Sequence, residues 1–343
     1  MSESLRIVVI GDRVQPSSVT AESLRRLLDP VAQVDAFDWD ASDFSALALA
    51  AERGLAVPIP DAWATAVTGA DVLVTHFFPV RRDLMDSAPH LKVIATLRHG
   101  QEHLDLAAAL ERGIRVINNP GREAEPVSDF ALLLILESLR GLHRASGVLI
   151  RDGWLDADQA AVGARNVASV VVGLVGFGHV GQLLARKLSG LSPRILVADP
   201  FISAESARDS GAELVGLDEL LRTADVVSIH ARLVPETRGL IGAAQLALMK
   251  PTAILVNTAR AELIHEESLI AALRHGSIRG AALDVFWQEP LPLDHPLRGM
   301  PNVLLSPHMA GSTQDAPAAS ARLLARRLVA VLDSLALLTG QQS

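Results

Sequence analysis

Three polar residues late in the chain, Arg260, Glu289 and His308, each follow an apolar run that predicts a β-strand. The runs are residues 253–257, 281–285 and 303–306. An imidazole can exchange a proton near neutral pH, a neighbouring carboxylate stabilises its charged form, and a guanidinium can bind a carboxylate through a fork of donors. Taken singly, each is more simply a solvated loop residue or a surface ion pair. Together at the ends of three strands they are less easily dismissed, and they are the groups that hydride transfer to a carbonyl would need, because the alkoxide formed requires a proton donor.

A glycine-rich turn could bind the hydride carrier. Gly176, Gly178 and Gly181 have the spacing G-x-G-x-x-G between the apolar run 170–175 and a helical pattern, and a second apolar run ends at Asp199. Such glycines make the turn, admit a diphosphate to backbone amides and let helix pack on strand. Asp199 would bind the adenosine ribose and repel a 2′-phosphate, so the stretch predicts NAD rather than NADP. Without these flanking features the motif would be only a flexible turn.

Strand and helix patterns alternate along the whole chain, which predicts parallel sheets covered on both faces. Strands are expected at residues 5–10, 71–75, 91–96 and 114–118, with helices at 18–28 and near 45–53. Five or more strands follow the glycine turn. We therefore expect an α/β protein of two doubly wound parallel-sheet domains. Residues 1–118 plus about 310–343 would form a flavodoxin-like substrate domain, and residues 119–309 an NAD-binding Rossmann domain.

The helix that begins near Pro126 contains the sequence FALLLIL, which is apolar on all sides. A helix of this kind must be buried, so we expect it between domains or in a subunit interface.

Composition limits the classes of partner. The chain has 343 residues, 49% of them hydrophobic, a net charge of -8 and no cysteine. The negative charge argues against nucleic acid or an anionic membrane as a partner, and no apolar run reaches the length of a membrane span. The lack of cysteine and of a signal-peptide pattern favours a cytoplasmic location. No set of side chains has convincing metal-ligand spacing, so no metal is expected.

The run from Asp225 to Pro292, followed by LSPHMAGST, closely resembles the D-isomer-specific 2-hydroxyacid dehydrogenase family, and the resemblance covers residues 91–315. It implies that Arg260 binds and polarises a 2-oxo acid, that His308 is the general acid or base, and that Glu289 pairs with His308. It also implies a homodimer. The cofactor contacts that it implies, beyond the glycines and Asp199, are His179 and Val180 at the diphosphate and His230, Ala231, Thr258, Ala259 and Asp284 around the nicotinamide.

The same resemblance points to a substrate loop at residues 97–105, where backbone amides would hold the substrate carboxylate. This chain departs there from the family pattern of glycine and small residues, because His99, Gln101, Glu102 and His103 are larger and polar. The substrate contacts are assigned to Arg98, His99, Gly100 and Gln101. Polar side chains at these positions would suit a substrate with extra hydroxyl groups. A phosphorylated substrate would require additional basic residues, of which the loop has only Arg98.

These features lead to one expected function and one alternative. The expected function is the NAD(H)-dependent reversible reduction of a 2-oxo acid to a D-2-hydroxy acid. The alternative is a non-catalytic NAD(H)-sensing protein, similar to the corepressors built on the same fold, since fold alone does not determine function.

Overall fold

The computed structural model describes residues 4–39 and 60–338. The helix expected near residues 45–53 lies outside these residues. Contacts divide the chain into two compact units: unit 1 comprises Met1–Glu123 and Thr313–Ser343, and unit 2 comprises Ala124–Ser312. No helix among the residues described is both long and apolar enough to cross a lipid bilayer.

Unit 1 is built on a parallel sheet of five strands in the order β2-β1-β3-β4-β5. Its strands are β1 (Leu5–Gly11), β2 (Ala32–Asp38), β3 (Val72–Thr75), β4 (Val93–Thr96) and β5 (Arg115–Ile117). Every residue of β3 and β4 is buried, as expected for a sheet covered on both faces. This strand order is that of flavodoxin-like folds.

Within residues 4–39, 60–123 and 313–338, five helices cover this sheet. They are α1 (Ser17–Leu28), α2 (Asp61–Thr68), α3 (Arg82–Ser87), α4 (Leu106–Glu111) and, from the end of the chain, α13 (Ala316–Ser334). Alternate residues of β1 point to opposite faces, so Ile7 and Val9 join one buried cluster while Val8 and Ile10 join another. Leu324 of α13 lies in the cluster of Ile7 and Val9, which ties the C-terminal helix into unit 1.

Unit 2 is built on a parallel sheet of seven strands in the order β12-β11-β10-β9-β6-β7-β8. Its strands are β6 (Val171–Val175), β7 (Arg194–Ala198), β8 (Glu213–Leu214), β9 (Val226–Ile229), β10 (Ile254–Asn257), β11 (Gly280–Leu283) and β12 (Val303–Leu305). The strand order reverses between β6 and β9, and in such sheets ligands bind at the carboxyl ends beside this point. The two sheets confirm the predicted fold class.

The helices of unit 2 are α5 (Ala124–Arg140), α6 (Leu142–Arg151), α7 (Ala157–Ala161), α8 (His179–Ser189), α9 (Ala204–Arg208), α10 (Leu217–Thr223), α11 (Ala243–Leu248) and α12 (Glu266–Arg274). The all-round apolar helix is α5. It buries Leu134 and Ile135 against the sheet, whereas Leu133 remains 56% exposed in the single chain. The exposed side of α5 is therefore available to another surface.

Candidate active site

The glycine turn connects β6 to α8, and each of its glycines is required for a different reason. Gly176 has a φ of +95°, and a Cβ built on it would lie 2.5 Å from the amide nitrogen of Ala231. A Cβ on Gly181 would lie 2.5 Å from the carbonyl oxygen of Gly176, so helix and turn approach closely there. At Gly178 a Cβ would meet no atom within 4 Å. The space at Gly178 is therefore open to a ligand, as a diphosphate at the N-terminus of α8 requires.

Asp199 follows β7 and is already oriented by the backbone. Its Oδ2 accepts a hydrogen bond from the amide of Phe177 at 2.7 Å, and its Oδ1 accepts one from the amide of Phe201 at 2.9 Å. The first bond fixes the carboxylate beside the glycine turn. The residues that the sequence assigns to the adenosine side of a dinucleotide are thus adjacent in the structure.

His308 and Glu289 contact each other directly. The Nδ1 atom of His308 lies 2.7 Å from Oε2 of Glu289, and Oε1 of Glu289 accepts a hydrogen bond from the amide of Phe286 at 2.9 Å. Both side chains remain partly exposed, at 48% and 36%. Because Nδ1 faces the carboxylate, Nε2 is the ring nitrogen left to exchange a proton with a ligand.

The turn that carries His308 is held by Asp284, the residue after β11. This buried carboxylate accepts hydrogen bonds from the Ser306 hydroxyl at 2.6 Å and from the amides of Met309 and Ala310 at 3.0 and 2.8 Å. His308 itself has a φ of +50°, which few residues other than glycine adopt. Asp284 therefore anchors the strained turn, a role that the sequence analysis did not assign to it.

Arg260 follows β10 on a turn that Asn257 closes from both sides. The Nδ2 of Asn257 donates to the carbonyl of Arg260, and its Oδ1 accepts from the amide of Ala259, both at 2.9 Å. The guanidinium is exposed and donates to the carbonyl of Ala259 at 2.7 Å. On the same turn, the buried Oγ1 of Thr258 has no hydrogen-bond partner within residues 4–39 and 60–338. A ligand oxygen or amide could satisfy it.

His230 follows β9 beside the glycine turn. Burial lowers its pKa to about 4, so the ring is neutral at physiological pH. Its Nε2 lies 2.9 Å from the hydroxyl of Ser228. It can therefore act as a neutral polar contact for a ligand but does not supply a positive charge there.

The expected substrate loop lies in unit 1, after β4. The amide of Arg98 donates to Oγ1 of Thr96 at 3.1 Å, and the carbonyl of His99 accepts from Asn118 at 2.7 Å. The Arg98 guanidinium lies 4.2 Å from the centre of the Phe77 ring. The backbone that leads into Gly100 and Gln101 is thus held by two hydrogen bonds.

The sequence did not indicate a role for one set of polar side chains in unit 1. His76 is fully buried, with Nδ1 2.8 Å from Oδ2 of Asp12 and Nε2 3.3 Å from the guanidinium of Arg122. Asp12 and His76 each follow a strand end, the same signal that identified His308. That signal alone could not show that residues so far apart in the chain meet. Groups of three or more metal-ligating side chains are absent from the described part of the chain.

Comparison with known families shows which proteins this chain is similar to. The family model of the D-isomer specific 2-hydroxyacid dehydrogenase NAD binding domain matches residues 132–310. The curated relatives include a D-3-phosphoglycerate dehydrogenase of Methanocaldococcus jannaschii, 38% identical over 78% of this chain and 50% of the relative. They also include a glyoxylate reductase of Thermofilum pendens, 41% identical over 73% of this chain and 74% of the relative. The match therefore spans half the length of the first relative.

Solved structures show the same fold over nearly the whole chain. The TT0316 protein of Thermus thermophilus superposes with a TM-score of 0.68 and 31% identity, covering 96% of this chain and 97% of that one. The NAD complex of a D-isomer specific 2-hydroxyacid dehydrogenase from Lactobacillus delbrueckii superposes with a TM-score of 0.75 and 22% identity, covering 98% of both.

Proposed function

Because this chain belongs to the D-isomer specific 2-hydroxyacid dehydrogenase family, we propose that it catalyses the NAD(H)-dependent reversible reduction of a 2-oxo acid to a D-2-hydroxy acid. The observation that carries this proposal is the His308–Glu289 pair, 2.7 Å apart on turns that follow neighbouring strands of the NAD-binding sheet. A cofactor-sensing protein would bind NAD without needing such a pair.

Each catalytic residue has one role in the proposal. Bound NADH supplies the hydride. Arg260 binds the substrate carboxylate and polarises the adjacent carbonyl, which its exposed guanidinium can do through parallel hydrogen bonds. His308 donates a proton from Nε2 to the oxygen at C2 during reduction and accepts it during oxidation. Glu289 holds the ring through Nδ1 and stabilises its charged form.

The cofactor residues divide between the two ends of the dinucleotide. Gly176, Gly178 and Gly181 shape the turn, the amides of His179 and Val180 donate to the diphosphate, and Asp199 binds the ribose. The proposed nicotinamide contacts are His230, Ala231, Thr258, Ala259 and Asp284. The unpartnered hydroxyl of Thr258 and the neutral ring of His230 support this assignment, because both offer polar atoms without a competing charge.

Substrate recognition is further assigned to the loop of unit 1. Arg98, His99, Gly100 and Gln101 are proposed to contact the substrate through backbone amides and polar side chains. The support is the rigidity of the loop, whose backbone is tied to Thr96 and Asn118. A preorganised set of amides binds a carboxylate with a smaller loss of entropy than a flexible one.

The decisive experiment follows NADH consumption with a panel of 2-oxo acids, for the wild type and for His308→Asn. Asparagine tolerates the positive φ of residue 308, so the change removes the proton donor without distorting the turn. We expect kcat to fall by at least about 100-fold, whereas the Kd for NADH measured by fluorescence changes less than about twofold.

His275→Asn, at the exposed histidine that follows α12, is the matched control and should behave as wild type. A His308→Asn enzyme with nearly normal kcat would refute the assignment. If the wild type bound NADH tightly but reduced none of the acids, the sensing alternative would be favoured.

A homodimer is proposed on the exposed apolar side of α5 and α6. Leu142, Leu149 and Ile150 lie on α6, which buries none of its residues in the single chain, and Trp154 follows that helix. Several large exposed apolar side chains on and beside one helix indicate an interface. A cytoplasmic location stays a prediction.

A further inference from the structure

Four cationic side chains belong to one edge of the unit 2 sheet, the edge formed by the amino ends of its strands. Arg165 precedes β6, Lys250 precedes β10 and Arg279 precedes β11. These strands are neighbours in the order β11-β10-β9-β6, so the residues before them share one edge of the parallel sheet. The fourth, Arg144, lies on α6. The glycine turn and the proposed catalytic residues follow strands at the opposite, carboxyl edge.

Helix α7 and the residues after it contact two of these guanidiniums. Nη2 of Arg144 donates to the carbonyl oxygen of Gln159 at 3.4 Å. A Cβ built on Gly163 would lie 2.9 Å from Nη2 of Arg279, so the glycine leaves the space that this guanidinium fills. Arg279 is half-buried, and its guanidinium has no hydrogen bond or ion pair with any residue in the described ranges 4–39 and 60–338. Burial lowers the pKa of Arg279, and the nearby charges of Arg144 and Arg165 lower it further.

Carboxylates do not balance the charge of this cluster. Among the residues that the structure describes, the carboxylate in ion-pair contact with it is Asp225, whose Oδ1 lies 3.0 Å from Nζ of Lys250 and 3.9 Å from Nη1 of Arg165. The other oxygen of Asp225 accepts a hydrogen bond from the amide of Val171 at 2.8 Å. Four cations and one carboxylate leave an excess of positive charge, although the whole chain has a net charge of -8.

The cluster is accessible to a ligand from solvent. Arg144 and Arg165 are exposed, and the half-buried Arg279 lies beside them. Loss of hydration and neighbouring positive charges both destabilise a cation, whereas a bound anion stabilises it. A guanidinium donates parallel hydrogen bonds to a phosphate group, which carries up to about two negative charges. Such a group compensates more of the excess charge than a single carboxylate does.

We propose that this cluster, with Arg279 as its central donor, binds the phosphate group of a small molecule at a site separate from the dinucleotide site of unit 2. The inference goes beyond the proposed function and does not depend on it. The cluster precedes the strands of the sheet, whereas the dinucleotide turn follows one of them. Phosphate and NADH should therefore bind to the same chain at the same time.

The test titrates inorganic phosphate or pyrophosphate into the NADH-saturated protein by calorimetry, with the ionic strength held constant by chloride. We expect Arg279→Gln to raise the Kd of the wild type at least about tenfold, because charged hydrogen bonds are lost. Arg279→Lys keeps the charge but not the fork of donors, so its Kd should lie between the two. Arg194→Gln, which breaks the exposed pair with Glu213 in the same unit, is the control and should change the Kd less than about twofold.

Thermal denaturation distinguishes a ligand site from a structural cluster. Without phosphate, we expect the Tm of Arg279→Gln to equal or exceed that of the wild type, because the substitution removes a half-buried charge from beside two like charges. Added phosphate should raise the Tm of the wild type but not that of the variant, since a ligand stabilises the folded state that it binds. A lower Tm of the variant in both buffers, with the same rise on adding phosphate, would make Arg279 structural and overturn the proposal.

The remaining outcomes identify the ligand or overturn the inference. Tighter binding of pyrophosphate than of phosphate indicates a diphosphate ligand, and equal binding indicates a single phosphate. A wild type that binds neither anion, or binds them only without NADH, overturns the proposal. So does an Arg279→Gln variant that turns a dimer into monomers with unchanged phosphate affinity, because the cluster would then pair with a second copy of the chain. None of these measurements requires turnover, so failure to reduce 2-oxo acids would leave the inference standing.

Discussion

Asp284 shows how one buried carboxylate can determine the position of a residue that acts elsewhere. Its two oxygens receive hydrogen bonds from Ser306, Met309 and Ala310, on both sides of His308. In Asp284→Asn, the amide group must face at least one of these donors. An unsatisfied buried donor costs about 1–3 kcal/mol, so we expect lower stability and a displaced turn.

The displaced turn should lower kcat more than it weakens NADH binding. Steady-state kinetics, NADH fluorescence titration and thermal denaturation of Asp284→Asn measure the three quantities. Asp294→Asn, at an exposed position of the same unit, is the control. Equal losses of kcat and of NADH affinity would instead assign Asp284 to the nicotinamide alone.

His103 should make folding stability depend on pH. Burial and nearby Arg98 lower its pKa from the ordinary 6.5 to about 3 in the folded state. Below pH 6.5 the unfolded chain therefore binds a proton that the folded chain does not, and stability falls as pH decreases towards 3. The loss is about 1.4 kcal/mol per pH unit within that window.

His103→Asn should remove this contribution, so the stability difference between pH 7 and pH 5 should shrink by about 2 kcal/mol. Chemical denaturation at the two pH values measures it. His90→Asn, at an exposed histidine of unit 1, should keep the wild-type difference. An unchanged pH dependence in His103→Asn would mean that the ring binds a proton equally well in the folded and unfolded states.

At the level of residues, local patterns predicted contacts within neighbouring segments better than contacts across the fold. The positions of Glu289 and His308 at strand ends follow from apolar runs and could be read from the sequence. The chain from Asp12 through His76 to Arg122 could not, because its members come from three strands and meet only after the sheet assembles. The same holds for the hydrogen bonds that Asp284 makes.

The turn between β6 and α8 allows fold and ligand binding to be tested separately. A Cβ at Gly178 meets no atom within 4 Å, so Gly178→Ala should change the free energy of unfolding by less than about 0.5 kcal/mol. The added methyl group would occupy the space that a diphosphate needs, and we expect the Kd for NADH to rise at least about tenfold. Fluorescence titration and denaturation measure the two effects.

Two further glycines complete this comparison. Gly216 precedes α10, and a Cβ there would also meet no atom within 4 Å. Gly216→Ala should therefore change neither the free energy of unfolding nor the Kd for NADH. Gly176→Ala should destabilise the protein itself, since its φ is +95° and its Cβ would approach Ala231 to 2.5 Å. Normal NADH affinity in Gly178→Ala would place the diphosphate elsewhere.

Most elements of the sheets could be predicted because parallel strands buried on both faces are continuous apolar runs. Strand β10, expected at residues 253–257, spans Ile254–Asn257, and every one of its residues is buried. The order of the strands in each sheet could not be predicted in this way, because it depends on which apolar runs pair after folding. The helix near residues 45–53 lies outside the described residues and stays a prediction.

For the whole molecule, the proposed dimer gives a direct prediction. Ile150 and Trp154 are each 80% exposed in the single chain. We expect sedimentation equilibrium to give twice the 36.4 kDa chain mass and Ile150→Glu to give a monomer, because a buried unpaired carboxylate opposes association. Leu110→Glu, at an exposed leucine of unit 1, should remain dimeric. A monomeric wild type would refute the proposed interface.

Strands β10, β11 and β12 are neighbours at one edge of the unit 2 sheet, and the three proposed catalytic residues follow them within residues 254–308. The contacts of Asn257, Asp284 and Glu289 that orient these residues stay inside residues 254–310. The segment is therefore suited to exchange by recombination between relatives. A chimaera that receives it intact would inherit the proton donor together with its supports, whereas a crossover between β11 and β12 would divide them.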